Sequence, residues 1–334
     1  MDEKIKVNIT KDMHNKLLRD MENFEFFKRT GELNPNQFYT TLIYNFYETF
    51  LEEENKIKHT LNLYLNEVPD NSSMIQKKIS NISADLLKLT YESHGGSLLV
   101  SLSIKPTAST KTAFNYIDTY VLKEHTISSF YRMLFSSYLN KTTQEKERIL
   151  FKSSFDVISK ALDEKKVVFF ETTNGGMFEI SPYKWAVSNE HGFNFLLGQN
   201  NSGHPYSFRL CRIKRVSKLN QSLSIKPAIK SILDKMASKG PQYIIKDIEQ
   251  EPAIIELTKD GIEMFRTSYV NRPKPYSIDG NQYIFDCSYA QLHQYFRRFG
   301  HHANIISPKS LRDQMFNFYA SAYNHYHLIT DKHQ

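Results

Sequence analysis

Residues Ser207–Val216 read SFRLCRIKRV. Phe208 and Leu210 alternate with Ser207, Arg209 and Cys211, the period of a strand with one face in a core. Arg212, Lys214 and Arg215 follow almost at once, so the stretch reads as one arginine-rich strand that either lines a pocket for an anion or forms a solvated edge. Positions 209 and 212 are three apart, and in a flat strand they point to opposite faces. One pocket takes both only where the strand ends or bulges near Cys211.

Charge is concentrated around this stretch. From Arg209 to Lys235 there are eight Lys or Arg against the single acid Asp234, which accounts for the whole formal charge of +7. A neutral chain with one basic segment suits a localised anionic partner, of which nucleic acid is the commonest, or simply a solvated basic face. At 334 residues, 40% hydrophobic and 13% aromatic, the chain has the composition of two or three globular domains. It holds no apolar run long enough for a membrane span, and MDEKIKVNIT at the start is too polar for a signal peptide. Cys211 and Cys287 are too few for a disulfide framework, which favours a reducing, cytoplasmic setting.

Outward from the quoted stretch, period-2 patterning begins at Lys166: VVFFETT, the hairpin signal Asn174-Gly175, then MFEISPYKWAV and NFLLGQN, with further turns at His191-Gly192 and Asn200–Gly203. Four or five short strands in this space predict a small barrel over 166–220. Before it, 142–165 reads as one long amphipathic connecting helix with Thr142 or Thr143 as cap. After it come a linker helix within 221–250 and a βα, ββ, αβ, α order over 251–334. The last helix carries Phe316, Tyr319, Tyr323 and Tyr326 on one face, either core or a partner surface. His301, His302, His325 and His327 lack metal-ligand spacing.

In the N-terminal half, KIKVNIT alternates Ile5, Val7 and Ile9 with polar residues, and helical patterns follow over about Lys11–Lys28 and from Asn34-Pro35 onward. Phe38, Leu42, Tyr44, Phe46 and Phe50 form the stripe of the second helix. The order returns at SLLVSLSIKP, where Val100, Leu102 and Ile104 alternate with Ser101, Ser103 and Lys105, and at ISSFYRMLFSSYL behind Thr126. Phe38-Tyr39 and Leu42 match Phe130-Tyr131 and Leu134 at a constant offset of 92, which points to a diverged internal duplication. The expected segments are 1–56 and 96–141 for the two units, with helical scaffold at 57–95.

Each strand-helix-helix unit resembles the ribbon-helix-helix family, whose units dimerise through a two-stranded antiparallel ribbon that enters the DNA major groove. That resemblance implies base or phosphate contacts at Lys4, Lys6 and Asn8 from the first unit and Ser101 and Ser103 from the second. Pairing within one chain and pairing between chains both fit the pattern. The alternative is a packed α+β domain whose basic strand faces water.

The segment 166–220 resembles the WYL domain, an Sm-like barrel of bacterial regulators, through Pro182-Tyr183, the Gly192 turn, Asn194-Phe195-Leu196-Leu197-Gly198 and Phe208-Arg209-x-x-Arg212-Ile213. Asn194-Phe195-Leu196 stands where the name-giving Trp-Tyr-Leu falls, and Phe195 keeps a ring for stacking. The family's basic and aromatic ligand positions fall on Tyr183, Arg209 and Arg212, with Lys214 and Arg215 adjoining, and arginine suits phosphate and base alike. The C-terminal order over 251–334 resembles the ferredoxin-like extension that follows such barrels and often mediates dimerisation. The implied fold class is α+β and multidomain.

No nucleotide-binding, metalloprotease or serine-hydrolase motif is present, and neither cofactor nor metal is implied, so the chain reads as a non-enzyme. In layout, and through QEKERILF, TKDGIEMF and FGHHANIISP, it is similar to the WYL accessory proteins of type VI-D CRISPR systems, which implies single-stranded RNA binding, a CRISPR effector as partner and a homodimer. The alternative is a ligand-responsive DNA-binding transcriptional regulator. A third class, an interaction adaptor without nucleic-acid affinity, also stays open.

Overall fold

The computed structural model describes residues 4–65, 77–79, 82–83, 99–122, 126–189, 191–245 and 251–330. The expected scaffold helix Met74–Ser93 lies outside the described residues except at 77–79 and 82–83, which are helical. Among the described residues helices combine with three sheets, antiparallel at every pairing, and the chain divides into two compact units, Met1–Lys152 and Ser153–Gln334.

In the first unit β1 (Ile5–Thr10) pairs with β2 (Leu99–Ile104) along its whole length, from Ile5 opposite Ile104 to Thr10 opposite Leu99. The pairing is within one chain. Strand alternation sends Val7, Ile9, Leu102 and Ile104 into the core. Thr10 ends β1 and caps α1 (Lys11–Asn23), its hydroxyl accepting from the Met13 N–H at 3.2 Å. The helix stops at Asn23, earlier than the expected Lys28, because the backbone reverses through Glu25 at φ 60° and buries Phe24 and Phe26.

Asn34 caps α2 (Pro35–Leu65) with its side-chain Oδ1, which accepts from the Gln37 N–H at 3.3 Å. After β2, α3 (Lys111–Tyr116) runs into a π-helical turn, Ile117–Val121, and α4 (Ile127–Leu139) starts from the Thr126 cap. Phe38, Tyr39 and Leu42 of α2 and their matches Phe130, Tyr131 and Leu134 of α4 are all buried. Their rings form one cluster, with Phe38 edge-on to Tyr138 at 6.2 Å and Phe50 edge-on to Phe130 at 5.7 Å. Tyr44, expected in this stripe, is instead 49% exposed, because it lies off the arc shared by Phe38, Leu42 and Phe46.

The expected connecting helix is two helices. The capping box of Thr142 and Glu145 starts α5 (Thr143–Leu150), the backbone leaves the helical region at Phe151 (φ −114°, ψ 33°), and α6 (Lys152–Asp163) begins anew. Phe151 turns aside because its ring packs on Phe26 at 5.6 Å.

In the second unit β3 (Lys166–Thr172), β4 (Met177–Val187), β5 (Asn194–Asn200), β6 (Pro205–Arg209) and β7 (Ile213–Ser222) form a sheet of order β6-β5-β4-β3-β7. Val168, Phe170, Ile180, Leu196 and Ile213 face Ile158 and Ala161 of α6. On the opposite face Ala186 and Leu197 meet Ile229, Ile232, Leu233 and Met236 of α7 (Pro227–Lys239). Gly198 must be glycine, since a Cβ there would come within 2.5 Å of Ile180 Cγ2 and 2.7 Å of the Ser181 carbonyl where β4 bulges.

The chain continues through β8 (Ala253–Leu257), α8 (Lys259–Thr267), β9 (Ser277–Asp279), β10 (Gln282–Phe285), α9 (Tyr289–Phe296), β11 (Ala303–Ser307) and α10 (Lys309–Thr330), with sheet order β11-β8-β10-β9. Phe265, Phe285, Leu292, Tyr295 and Phe296 fill its core. On α10, Phe316, Tyr323 and Tyr326 are exposed, while Leu311 and Met315 face inward. No helix among the described residues is long and apolar enough to cross a membrane.

Candidate functional site

Two surfaces collect the residues singled out by sequence. The first is the ribbon. Opposite residues of an antiparallel pair share a face, so Lys6 beside Ser103 and Asn8 beside Ser101 stand together, exposed, while their strand neighbours are buried or half-buried. Lys4, exposed, precedes the strand on the same side of the alternation.

The ribbon is held on both strands by a reciprocal device. Asn36, second residue of α2, accepts from the Lys105 N–H at 2.8 Å and donates to its carbonyl at 3.1 Å. Ser128, second residue of α4, accepts from the Asn8 N–H at 3.1 Å. Asn36 and Ser128 stand at the same offset as the aromatic pairs, so each second helix grips the strand of the other unit. Sequence reasoning missed both residues, although that offset leads directly from one to the other.

The second surface is the corner between β6 and β7. SFRLCRIKRV is not one strand: β6 ends at Arg209, Leu210–Arg212 form a 3₁₀ turn, and β7 begins at Ile213. Leu210 and Cys211 are buried, and the Arg212 carbonyl accepts from the Thr173 N–H at 3.0 Å. Burial of this pair forces the turn, so the opposition of a flat strand does not apply to Arg209 and Arg212.

Arg209 lies opposite Phe195 across β5 and β6, and its guanidinium carbon sits 3.4 Å from the centre of the Phe193 ring. At that distance the planar cation stacks on the ring. Phe195 is only 8% exposed, so the ring presented to the guanidinium is Phe193, which sequence reasoning passed over although Phe-x-Phe alternation puts it one step along.

The remaining residues have separate surroundings. The Tyr183 hydroxyl donates to the Asp234 carboxylate of α7, both oxygens at 3.1 Å, and Lys184 Nζ reaches the same carboxylate at 2.5 Å. Burial, then the Asp234 bond and charge, pushes the Tyr183 hydroxyl up, while Lys184 holds Asp234 below the usual carboxylate value. Arg212 and Lys214 are exposed, Lys214 opposite Glu171. Arg215 is 83% exposed and pairs with Glu171 at 2.9 Å from a left-handed backbone, φ 46°, at a bulge in β7. The structure thus joins Phe193, Phe195 and Arg209 and sets Tyr183 with Lys184 and Asp234. Arg212 closes the turn, and Lys214 and Arg215 lie beyond it on β7.

No protein-family model matches the chain, and no curated protein does. Among solved structures, one described as a CRISPR Cas-related protein matches with a TM-score of 0.64 and 17% identity, covering 98% of this chain and 95% of its own. At that identity the likeness is one of fold, and the fold is shared along nearly the whole chain. The proteasome accessory factor B/C (PafBC) of Arthrobacter aurescens matches with a TM-score of 0.24 and 14% identity, over 64% of this chain and 35% of its own.

Proposed function

We propose that the chain is a non-enzymatic, nucleic-acid-binding regulatory protein, a cytoplasmic accessory of a CRISPR system, whose barrel takes single-stranded RNA or a nucleotide-like ligand at the β6–β7 corner. The observation that carries this reading is Arg209 stacked on Phe193 at 3.4 Å, a pre-oriented cation and ring of the kind that grips a phosphate beside a base. The fold shared with a CRISPR Cas-related protein over 98% of the chain supports it. The sheet order β6-β5-β4-β3-β7 with its 3₁₀ corner fits an Sm-like WYL barrel, and the order β11-β8-β10-β9 fits a ferredoxin-like extension. The exposed Phe316, Tyr323 and Tyr326 suit that extension to homodimer contact.

The experiment is titration of labelled single-stranded RNA against wild type and the Arg209→Ala/Arg212→Ala double variant. Loss of about ten-fold or more in affinity supports the corner, since stacking and charge-assisted contacts each carry about 1–3 kcal/mol. Unchanged affinity removes the corner from the reading.

The ribbon favours a second reading, a ligand-responsive transcriptional regulator of ribbon-helix-helix type that places Lys6, Asn8, Ser101 and Ser103 in a major groove. Duplex-DNA affinity that survives Arg209→Ala and collapses in Lys6→Ala would select it.

A further inference from the structure

A second cationic surface lies far along the sequence from the barrel strands. Met264–Ile278 and Cys287–Pro308 contain no Asp or Glu, while Arg266, Arg272, Lys274, Arg297 and Arg298 fall within them. The fold brings these two acid-free stretches together. Arg272 Nη1 donates to the Phe265 and Arg266 carbonyls, each at 3.3 Å, at the C-terminal end of α8. Arg298 donates from Nε to the Tyr295 carbonyl and from Nη2 to the Val270 carbonyl, both at 3.0 Å.

Their guanidinia rest against neighbouring rings. Arg272 lies 5.6 Å from the Phe265 centroid and Arg298 lies 4.3 Å from that of Tyr295, and these two rings are 5.8 Å apart. Burial pushes the Tyr295 hydroxyl up to about 12, and both guanidinia draw it down, so both act on one hydroxyl. Each arginine is exposed, and none of its contacts among the described residues is a carboxylate.

Carbonyl bonds to the last turns of α8 and α9 have a helix-capping role. They also fix the guanidinium planes while leaving Arg272 Nε and Nη2, and Arg298 Nη1, without a bond to the described residues. Two pre-oriented guanidinia with no carboxylate partner among the described residues suit a phosphodiester. Between the tethers the loop closes in a turn, with the Arg272 N–H on the Tyr269 carbonyl at 3.3 Å and Asn271 left-handed at φ 57°. Tyr269 in that turn is 74% exposed, a ring held out to solvent.

We propose that Arg272 and Arg298 form a phosphate clamp for single-stranded nucleic acid, with Tyr269 as the ring on which a base stacks. It rests on the nucleic-acid reading above and adds a contact on a different sheet, outside the barrel corner.

The test uses the full chain and a short fluorescein-labelled oligouridylate across a salt series. Arg272→Gln/Arg298→Gln is expected to lower affinity about ten-fold and to shrink the salt slope by about 0.7, the value for one phosphate neutralised on a single strand. Because those arginines cap helices, Tyr269→Ala is measured beside them: it removes an exposed ring and leaves the fold intact, and it should cost several-fold in affinity. A photocrosslink from 5-iodouridine in the same oligonucleotide should fall on the peptide holding Tyr269. Unchanged affinity in Tyr269→Ala with no such crosslink overturns the clamp. The Arg209→Ala/Arg212→Ala variant separates the two claims: loss there alone overturns the clamp and leaves the corner, and loss only in the Arg272 and Arg298 variants does the reverse. A wild-type chain that binds no oligouridylate overturns both.

Discussion

The ribbon and the β6–β7 corner are built from similar-looking sequence, yet they teach opposite lessons. In KIKVNIT the alternation is the structure: each polar residue from Lys4 to Asn8 is exposed, and Val7 and Ile9 are buried. In SFRLCRIKRV the sequence alternation runs on past Arg209 although the strand has ended there, and Leu210 and Cys211, which a strand would set on opposite faces, are both buried by a turn. Burial pattern reports which side chains lose water. It does not report the path of the backbone between them.

This contrast can be broken by substitution. Leu210→Ala and Ile104→Ala should each cost about 2–5 kcal/mol by urea unfolding, as large-to-small changes at fully buried sites do. Lys214→Ala, four residues from Leu210, should stay within about 0.5 kcal/mol. Equal, small losses at Leu210 and Lys214 would mean that the corner is a solvated strand after all.

The reciprocal grip on the ribbon gives a smaller effect. Asn36→Ala removes two bonds to Lys105 and should cost about 1–2 kcal/mol, against about 0.5–1 for Ser128→Ala, which removes one bond to Asn8. Hydrogen exchange at the Lys105 and Asn8 amides localises each loss; exchange unaltered in both variants would show that the ribbon does not depend on the second helices.

Acid should separate the two units by sign. Burial raises Asp20, on α1 with Lys146 of α5 at 3.1 Å, above its ordinary value of 3.8, whereas the Lys184 bond lowers Asp234 below that same value. Stability linked to Asp20 is therefore complete below pH 3.8 and is lost as pH rises through its folded-state pKa. Stability linked to Asp234 is present above 3.8 and is lost as pH falls through its folded-state pKa. Carboxyl-carbon NMR titration should find Asp20 protonating first on acidification and Asp234 well after it.

The smallest effect concerns Arg215. Its left-handed backbone, φ 46°, costs an L-residue about 1 kcal/mol or more, and its exposed pair with Glu171 returns little. Arg215→Gly should be neutral or more stable by under about 1 kcal/mol, and Arg215→Ala slightly less stable. The difference between the two variants, read as midpoint shifts, isolates the strain from the ion pair.

Much of the fold was legible where a local signal and burial coincide. The Thr126 and Thr142 caps, the Asn174-Gly175 hairpin and the strand alternation at Ile5–Thr10 and Leu99–Ile104 are each settled by a few neighbouring residues. Breaks made by tertiary packing were not legible. The helical period runs unbroken through Phe151, and only the Phe26 ring pulls the chain aside. At the candidate surfaces the strand residues were found and their partners were not: Phe193 under Arg209, Asp234 under Tyr183 and Asn36 behind Lys105 come from other parts of the chain, where no spacing rule links them.

Because both ribbon strands belong to one polypeptide, their exposed faces need not match. Lysine faces serine at Lys6 and Ser103, and asparagine faces serine at Asn8 and Ser101. A ribbon made by two identical chains repeats itself about a dyad and suits a palindrome. This one has a left and a right, so whatever it touches is met in a single direction.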